Sequence, residues 1–161
     1  MFAFLRRPKY DAKPLFEAAL AQSRNPVLYR DYGVPDTLDG RFDSLLLHLW
    51  PVFRALQGQD RLSQDLYDLT FRRMELALRE TGTGDLGVGK QARFMMKAFY
   101  GRLSTYNACE TDAQWREALQ RNVYRTLENA DVPQGMIDYA KTLGATRVEL
   151  DARQAKVIYP A

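Results

Sequence analysis

The feature that constrains the fold most is a glycine-rich stretch followed directly by an amphipathic pattern, Gly82 to Arg102. Four glycines fall within eight residues, which ends one helical pattern and opens another. Lys90, Arg93 and Lys97 recur at helical spacing on one side of the second pattern, with Phe94 among them. The opposite side is apolar at Val88, Ala92, Met96, Phe99 and Leu103. The sequence therefore predicts an interhelical corner beside a helix with one basic face.

Helical periodicity recurs along the whole chain and predicts an all-α fold. Six helical patterns and hardly any alternating runs indicate a single-domain helical bundle of about six helices. We expect residues 1–11 to form an N-terminal arm and residues 12–161 to form the helical domain. A short extended segment, Val27–Val34, is expected after the first helix. The tail from Val148 to Tyr159 fits either a short helix or a short strand.

The most hydrophobic helical pattern runs from about Leu38 to Leu56. Leu47 and Trp50 lie on a second face of this helix, which makes it apolar nearly all round. Its first and broader face consists of Phe42, Leu45, Leu46, Leu49, Val52, Phe53 and Leu56. We therefore expect this helix to be the central element of the core, with Asp36 or Thr37 capping its start.

Cysteine and histidine usage excludes whole classes of site. Cys109 is the only cysteine and His48 the only histidine, so Cys/His metal clusters and Ser-His or Cys-His catalytic pairs are not expected. His48 falls on the most apolar helix, where we interpret it as a hydrogen-bonded core residue. Asp36, Asp39 and Asp43 surround the start of that helix, where carboxylates favour the helix dipole. We expect no catalytic residue, no metal and no cofactor.

Charge and hydropathy indicate the compartment. The formal net charge of +3 and the pI of about 9.0 suit an anionic partner or a membrane surface. The longest apolar run, Leu45–Phe53, is too short to cross a bilayer. Arg6 and Arg7 follow the apolar residues of the N-terminus, the reverse of the order in a signal peptide. The sequence thus predicts a protein of the bacterial cytoplasm, at the inner face of the cytoplasmic membrane where it contacts lipid.

The glycine-rich stretch matches two nucleotide-binding patterns by letter alone. Gly82–Gly87 fits G-x-G-x-x-G, and Gly84–Lys90 fits the first seven positions of the phosphate-binding loop. Both motifs need a buried parallel strand before the loop, and a charged amphipathic pattern stands there instead. Gln91 also occupies the position where a magnesium-binding Ser or Thr is required. We expect the glycines to allow positive φ angles and close helix approach at the corner.

The basic helix face has two interpretations. Lys90, Arg93 and Lys97 form either an ordinary solvated face or a surface for an acidic protein segment, RNA or anionic lipid headgroups. Met95 and its neighbour Met96, beside aromatic side chains, either line an adaptable groove or belong to the core. The residues alone leave these alternatives open.

Two blocks of sequence resemble the ubiquinol–cytochrome c chaperone family over roughly residues 12–140. The first block is Tyr29-Arg30 with Gly33–Asp43 and Leu45–Leu49; the second is Gly84–Lys90 with Met96-Lys97 and Phe99–Arg102. The motif positions are Gly33, Pro35, Asp36, Gly40, Arg41, His48, Gly84, Asp85, Gly87, Gly89 and Gly101.

The resemblance implies a helical, non-enzymatic assembly factor for ubiquinol–cytochrome c reductase, respiratory complex III. Its expected client is the cytochrome b subunit, with a small partner chaperone and the ribosome as further expected contacts. A peripheral contact with the membrane surface is expected from the basic charge of the chain. The candidate partner-binding residues are Lys90, Arg93, Phe94, Met95, Lys97, Phe99, Tyr100 and Arg102. The competing hypothesis is a ribosome- or RNA-binding adaptor that uses the basic helix face without sequence-specific contacts. The sequence does not decide between this helix and the loop from Tyr29 to Arg41 as the client-binding surface.

Overall fold

A computed structural model describes residues 9–161, so the predicted arm, residues 1–11, lies mostly outside the described residues. The fold is predominantly helical, with six helices of ten residues or more, which confirms the predicted helical bundle. The elements are α1 (Lys13–Ser23), α2 (Pro26–Arg30), α3 (Leu38–Ala55), α4 (Asp60–Glu80), α5 (Asp85–Ala108), α6 (Asp112–Asn122), α7 (Gln134–Leu143), β1 (Arg147–Asp151) and β2 (Gln154–Ile158). The two strands form one antiparallel hairpin, so the tail is a strand pair rather than a helix.

The segment after α1 differs from the extended conformation expected for Val27–Val34. A five-residue helix, α2, occupies its first half because two local signals favour a helix start. Pro26 stands at the first helical position, where its fixed φ is compatible with a helix and its missing N–H is not needed. The side chain of Asn25 accepts a hydrogen bond from the backbone N–H of Val27 (3.1 Å). Residues 31–37 then connect α2 to α3 without regular secondary structure.

Helix α3 is the central element, as predicted. One face, which includes Leu46, Leu49 and Val52, packs into a core cluster with α1, α4, α5 and β2. The second face carries Leu47 and Trp50 into another cluster, formed with α2, α5, α6 and α7. Because α3 is apolar nearly all round, it contributes buried side chains to both core clusters and packs between them.

The second core cluster contains three aromatic rings in mutual contact. Trp50 and Trp115 meet edge to face with ring centroids 5.4 Å apart, and Tyr106 stacks on Trp115 at 5.8 Å. The indole N–H of Trp50 donates a hydrogen bond to the Asn107 side chain (2.7 Å). These contacts fix the C-terminal half of α5 against α3 and α6.

In the glycine-rich corner between α4 and α5, the predicted positive φ angle is found at one glycine, Gly82. Gly82 has φ +84°, a conformation that a side chain would strain, and it ends α4. Gly84 is the N-cap of α5 and has ordinary extended dihedral angles. The expected close helix approach is not found at Gly84, where a Cβ would meet nothing within 4 Å, or at Gly89, where it would meet only an Arg93 nitrogen at 3.9 Å. A Cβ on Gly87 would meet the Thr83 methyl group at 3.2 Å, a tight contact within the corner itself.

Candidate functional site

A groove of about 1050 Å³ lies between α1, α2, the start of α3 and the C-terminal half of α4. The volume is at the upper end of the roughly 300–1000 Å³ typical of small-molecule pockets. Its lining residues come from segments far apart in sequence: Phe16, Leu20, Ser23, Arg24, Pro26, Tyr29, Arg30, Asp36, Leu38, Arg41, Phe42, Leu45, Thr70, Arg73, Met74, Leu76, Ala77, Leu78, Glu80 and Met95. We call this surface the α1–α4 groove.

The base of the α1–α4 groove is apolar. Its buried apolar lining residues are Phe16, Met74, Leu78 and Met95, and two of these four are methionines, whose flexible side chains adapt to different partners. Leu38 and Leu76 stand at its edge with 41% and 55% of their surface exposed. Large leucines exposed beside an apolar cleft are typical of a surface that binds another apolar group.

The polar lining of the groove carries more basic than acidic side chains. Four arginines line it, against two acidic residues: Arg24, Arg30, Arg41 and Arg73, with Asp36 and Glu80. Arg24 makes no ion pair with any residue that the structure describes. Arg73 pairs with Glu17 (3.0 Å) and places its guanidinium over the Phe16 ring, 5.5 Å from the ring centre. Arg30 and Arg41 pair with Asp31 and Asp36, so Arg24 is the one arginine of the lining without an ion-pair partner among the described residues.

The first motif block contributes the loop at one end of this groove. Thr37 caps α3 by accepting a hydrogen bond from the Gly40 N–H (3.1 Å), as one of the two predicted caps. Gly40 is required there, because a Cβ would collide with the Pro35 carbonyl oxygen. Arg41 pairs with Asp36 at 2.7 Å and lowers the pKa of that carboxyl. Gly33 in the same loop has φ +68°.

The structure divides the candidate residues of α5 into two groups. The exposed group comprises Lys90, Arg93, Phe94, Lys97 and Tyr100, so these side chains are available to a partner. The other three are buried. Met95 lies at the base of the α1–α4 groove, whereas Phe99 is fully buried and packs edge to face on Phe53 (5.1 Å). Arg102 is also buried, so neither it nor Phe99 offers a contact surface in this conformation.

Arg102 belongs to a buried charge cluster. Its guanidinium donates to the Asp43 carboxylate, and Arg125 donates to the other oxygen of that carboxylate (2.8 Å). Arg125 also pairs with Asp39 at 3.1 Å. Burial raises the pKa of the Asp43 carboxyl, while both guanidinium groups oppose this shift. The cluster connects α3, α5 and the segment after α6, and it has a structural role.

His48 is a fully hydrogen-bonded core residue, as interpreted from the sequence. Its Nδ1–H donates to the Ser44 carbonyl (2.7 Å), which leaves Nε2 to accept from the Tyr139 hydroxyl (2.6 Å). Burial lowers the pKa of His48 to about 4, so the imidazole is neutral at physiological pH. The Tyr159 hydroxyl donates to the His48 carbonyl (2.8 Å) and attaches the end of the chain to α3.

Sequence reasoning missed the α1–α4 groove and the Asp43–Arg102 pair. The groove has no local signal, because it forms only when α1 and α4 pack side by side. The ion pair, in contrast, did have a local sequence signal. Asp43 precedes Leu47 and Trp50 at helical spacing, on a buried face, and Arg102 shares the buried face of α5 with Phe99.

Two further features of residues 9–161 bear on the chemistry. Each helix in this part of the chain is too short or too polar to span a bilayer. Among the same residues, no three His, Cys, Asp or Glu side chains are grouped so that they could hold a metal ion.

Comparison with known proteins identifies relatives. The sequence matches the family described as ubiquinol–cytochrome C chaperone over residues 30–157. The fold is similar to the crystal structure of the Cbp3 homolog from Brucella abortus, with a TM-score of 0.73 and 29% sequence identity. That similarity covers 83% of this chain and 78% of the Brucella abortus chain. No curated protein is significantly similar in sequence.

Proposed function

The chain belongs to the ubiquinol–cytochrome c chaperone family, and from this premise we propose that it holds the cytochrome b subunit during assembly of ubiquinol–cytochrome c reductase. The proposed role is non-enzymatic. It places the protein on the side of the membrane where cytochrome b is synthesised. The observation that carries the proposal is the α1–α4 groove, with its apolar base and arginine-bearing edge.

The groove suits a segment of an unassembled membrane protein. Such a subunit exposes apolar helices with charged ends until its partners cover them, and an apolar groove can bind one reversibly. Met74 and Met95 let the base adapt to an irregular apolar surface. Arg24, which lacks an ion-pair partner among the described residues, is available to a carboxylate at the end of the bound segment.

The proposed client-binding surface is therefore the groove together with the loop of the first motif block. Asp36 and Arg41 of this loop line the groove, whereas Met95 is the only groove residue contributed by α5. This favours the loop over the α5 basic residues, the other surface considered from the sequence. Phe99 and Arg102 serve the fold instead.

The proposal is tested by placing a charge in the groove. Leu76→Glu puts a carboxylate at its edge, and Leu127→Glu is the matched control, because Leu127 is similarly exposed (46% against 55%) and does not line the groove. Losing the burial of one leucine on binding corresponds to roughly a tenfold or greater loss of affinity. In quantitative pull-downs from cells that make the reductase, L76E should recover at least about tenfold less cytochrome b than wild type.

The control variant L127E should recover cytochrome b as the wild type does. Equal recovery by L76E and L127E would contradict the groove as the binding surface. Recovery of RNA or ribosomal proteins in place of cytochrome b would favour the adaptor hypothesis, and that binding should weaken steeply as salt is raised from 50 to 200 mM.

A further inference from the structure

The exposed side of α5 carries apolar and basic side chains together. Leu86 is 96% exposed and Phe94 is 74% exposed, the two highest values among the exposed large hydrophobic residues of the described chain. Lys90, Arg93 and Lys97 lie on the same side at helical spacing. We call these five residues the α5 basic face. At the 1.5 Å rise of an α-helix, the face from Leu86 to Lys97 extends over roughly 17 Å.

The charge of this face is not neutralised by the rest of the protein. Lys90, Arg93 and Lys97 make no ion pair with the residues that the structure describes. Asp85 is the only acidic residue in the 24 residues of α5, and it lies near Arg79 (4.0 Å). An ordinary solvated helix face usually mixes charges of both signs, and α4 does so with Arg61–Asp65. We therefore expect the α5 basic face to bind an anionic partner.

We propose that the α5 basic face is a peripheral membrane-binding surface that rests on anionic phospholipid headgroups. Lysine and arginine attract the headgroup phosphates, while Leu86 and Phe94 enter the boundary between headgroups and acyl chains. RNA accounts for the cations but not for the exposed leucine, since aliphatic side chains gain little from a phosphate backbone. Gly101 lies on the same side of α5, and the space around its Cβ position is open. A flat membrane surface can therefore approach the helix closely at this residue.

This surface is distinct from the α1–α4 groove, with which it shares no residue. The inference therefore goes beyond the proposed function and does not depend on it. A chain that binds lipid through α5 keeps its groove free for a protein segment.

The test measures co-sedimentation of the full chain with vesicles. Vesicles of phosphatidylcholine with 30% phosphatidylglycerol should bind the protein, and vesicles of phosphatidylcholine alone should not. Each cation near an anionic surface contributes roughly fivefold to partitioning, so K90Q/K97Q should bind anionic vesicles roughly 30-fold more weakly. F94S should also weaken binding, by roughly fivefold or more, because the ring no longer enters the interface.

A matched control removes the same charge elsewhere. Arg153 and Lys156 are exposed cations at the C-terminal hairpin without ion-pair partners among the described residues, so R153Q/K156Q should change vesicle binding less than threefold. Equal losses in the two double variants would overturn the proposal, because net charge alone would then explain binding. Wild-type binding to a 20-nucleotide uridine RNA without binding to anionic vesicles would also overturn it, in favour of a nucleic-acid surface. So would unchanged vesicle binding by K90Q/K97Q, since another part of the chain would then hold the membrane.

Discussion

Asp43 of α3 and Arg102 of α5 form an ion pair in which only 1% and 10% of the two side chains are exposed. Asp43 belongs to the first sequence block that resembles the chaperone family, and Arg102 is the last residue of the second block. The pair brings into contact two blocks that are about 60 residues apart in sequence. Arg125 binds the second carboxylate oxygen and attaches the segment after α6 to the same point. One carboxylate thus connects three parts of the chain.

The buried pair makes Asp43 sensitive to substitution. Asp43→Asn removes the negative charge and leaves the Arg102 guanidinium buried without a counter-charge. Breaking such a pair typically costs about 3 kcal/mol, so we expect the free energy of unfolding to fall by about that amount. The melting temperature should fall by roughly 10 °C for a chain of this size. Urea unfolding and thermal melting measure both quantities.

The control for Asp43→Asn is Asp36→Asn. Asp36 also pairs with an arginine, Arg41, but both side chains are more than 60% exposed. An exposed pair contributes about 0–1 kcal/mol, so this variant should be nearly as stable as wild type. Similar losses in the two variants would contradict a special role for burial at Asp43.

His48 should make stability depend on pH. Its pKa is about 4 in the folded protein against 6.5 for an unburied histidine. Above pH 6.5 both the folded and unfolded chains hold a neutral ring; between pH 6.5 and 4 only the unfolded chain binds the proton, so stability falls with pH. From pH 7.5 to 5 this contribution lowers the free energy of unfolding by about 2 kcal/mol.

The contribution of His48 is isolated by comparison with His48→Gln, which cannot be protonated. That variant should be less stable at pH 7.5, because the hydrogen bonds to Ser44 and Tyr139 are altered. Its urea-unfolding free energy should nevertheless fall by about 2 kcal/mol less than wild type between pH 7.5 and 5. Parallel pH profiles would show that the imidazole does not titrate differently in the folded state.

Gly101 of the second motif block and Gly82 at the corner between α4 and α5 should respond to alanine substitution in opposite directions. Gly101 lies within α5, and a Cβ there would meet nothing within 4 Å, so Gly101→Ala should stabilise the protein by about 1 kcal/mol through helix propensity. Gly82→Ala should destabilise it by about 1 kcal/mol, because its φ of +84° strains a side chain. Thermal unfolding distinguishes the two; a loss of stability in Gly101→Ala would contradict an open position.

The sequence predicted those parts of the fold that depend on one helix at a time. The two faces of α3 were predicted because the period of 3.6 separates Leu46 and Leu49 from Leu47 and Trp50. The short helix α2 was not expected, because five residues carry too little periodicity and only the Asn25-Pro26 start signal marks it. In α5, periodicity predicted that Phe99 lies in the core, whereas its aromatic side chain also made it a candidate for partner binding. The packing of the helices decides between the two, because Phe99 is fully buried.

The candidate site was harder to predict for a physical reason. The basic side chains of α5 were visible because all of them belong to one helix. The α1–α4 groove depends on how five helices pack, and each of its lining residues, taken separately, has the pattern of an ordinary core or surface position. The family resemblance identified the loop with Asp36 and Arg41 as a motif, but it did not predict the apolar groove that these two residues help to line.

The most direct test of the central claim is site-specific photocrosslinking in cells that assemble the reductase. A photoreactive amino acid is placed at position 76, at the edge of the α1–α4 groove, and in a separate variant at position 127, which is comparably exposed and outside it. The account predicts that cytochrome b crosslinks at position 76 and not at position 127. Crosslinks to cytochrome b at position 127 but not at 76, or to no subunit of the reductase at either, would contradict it.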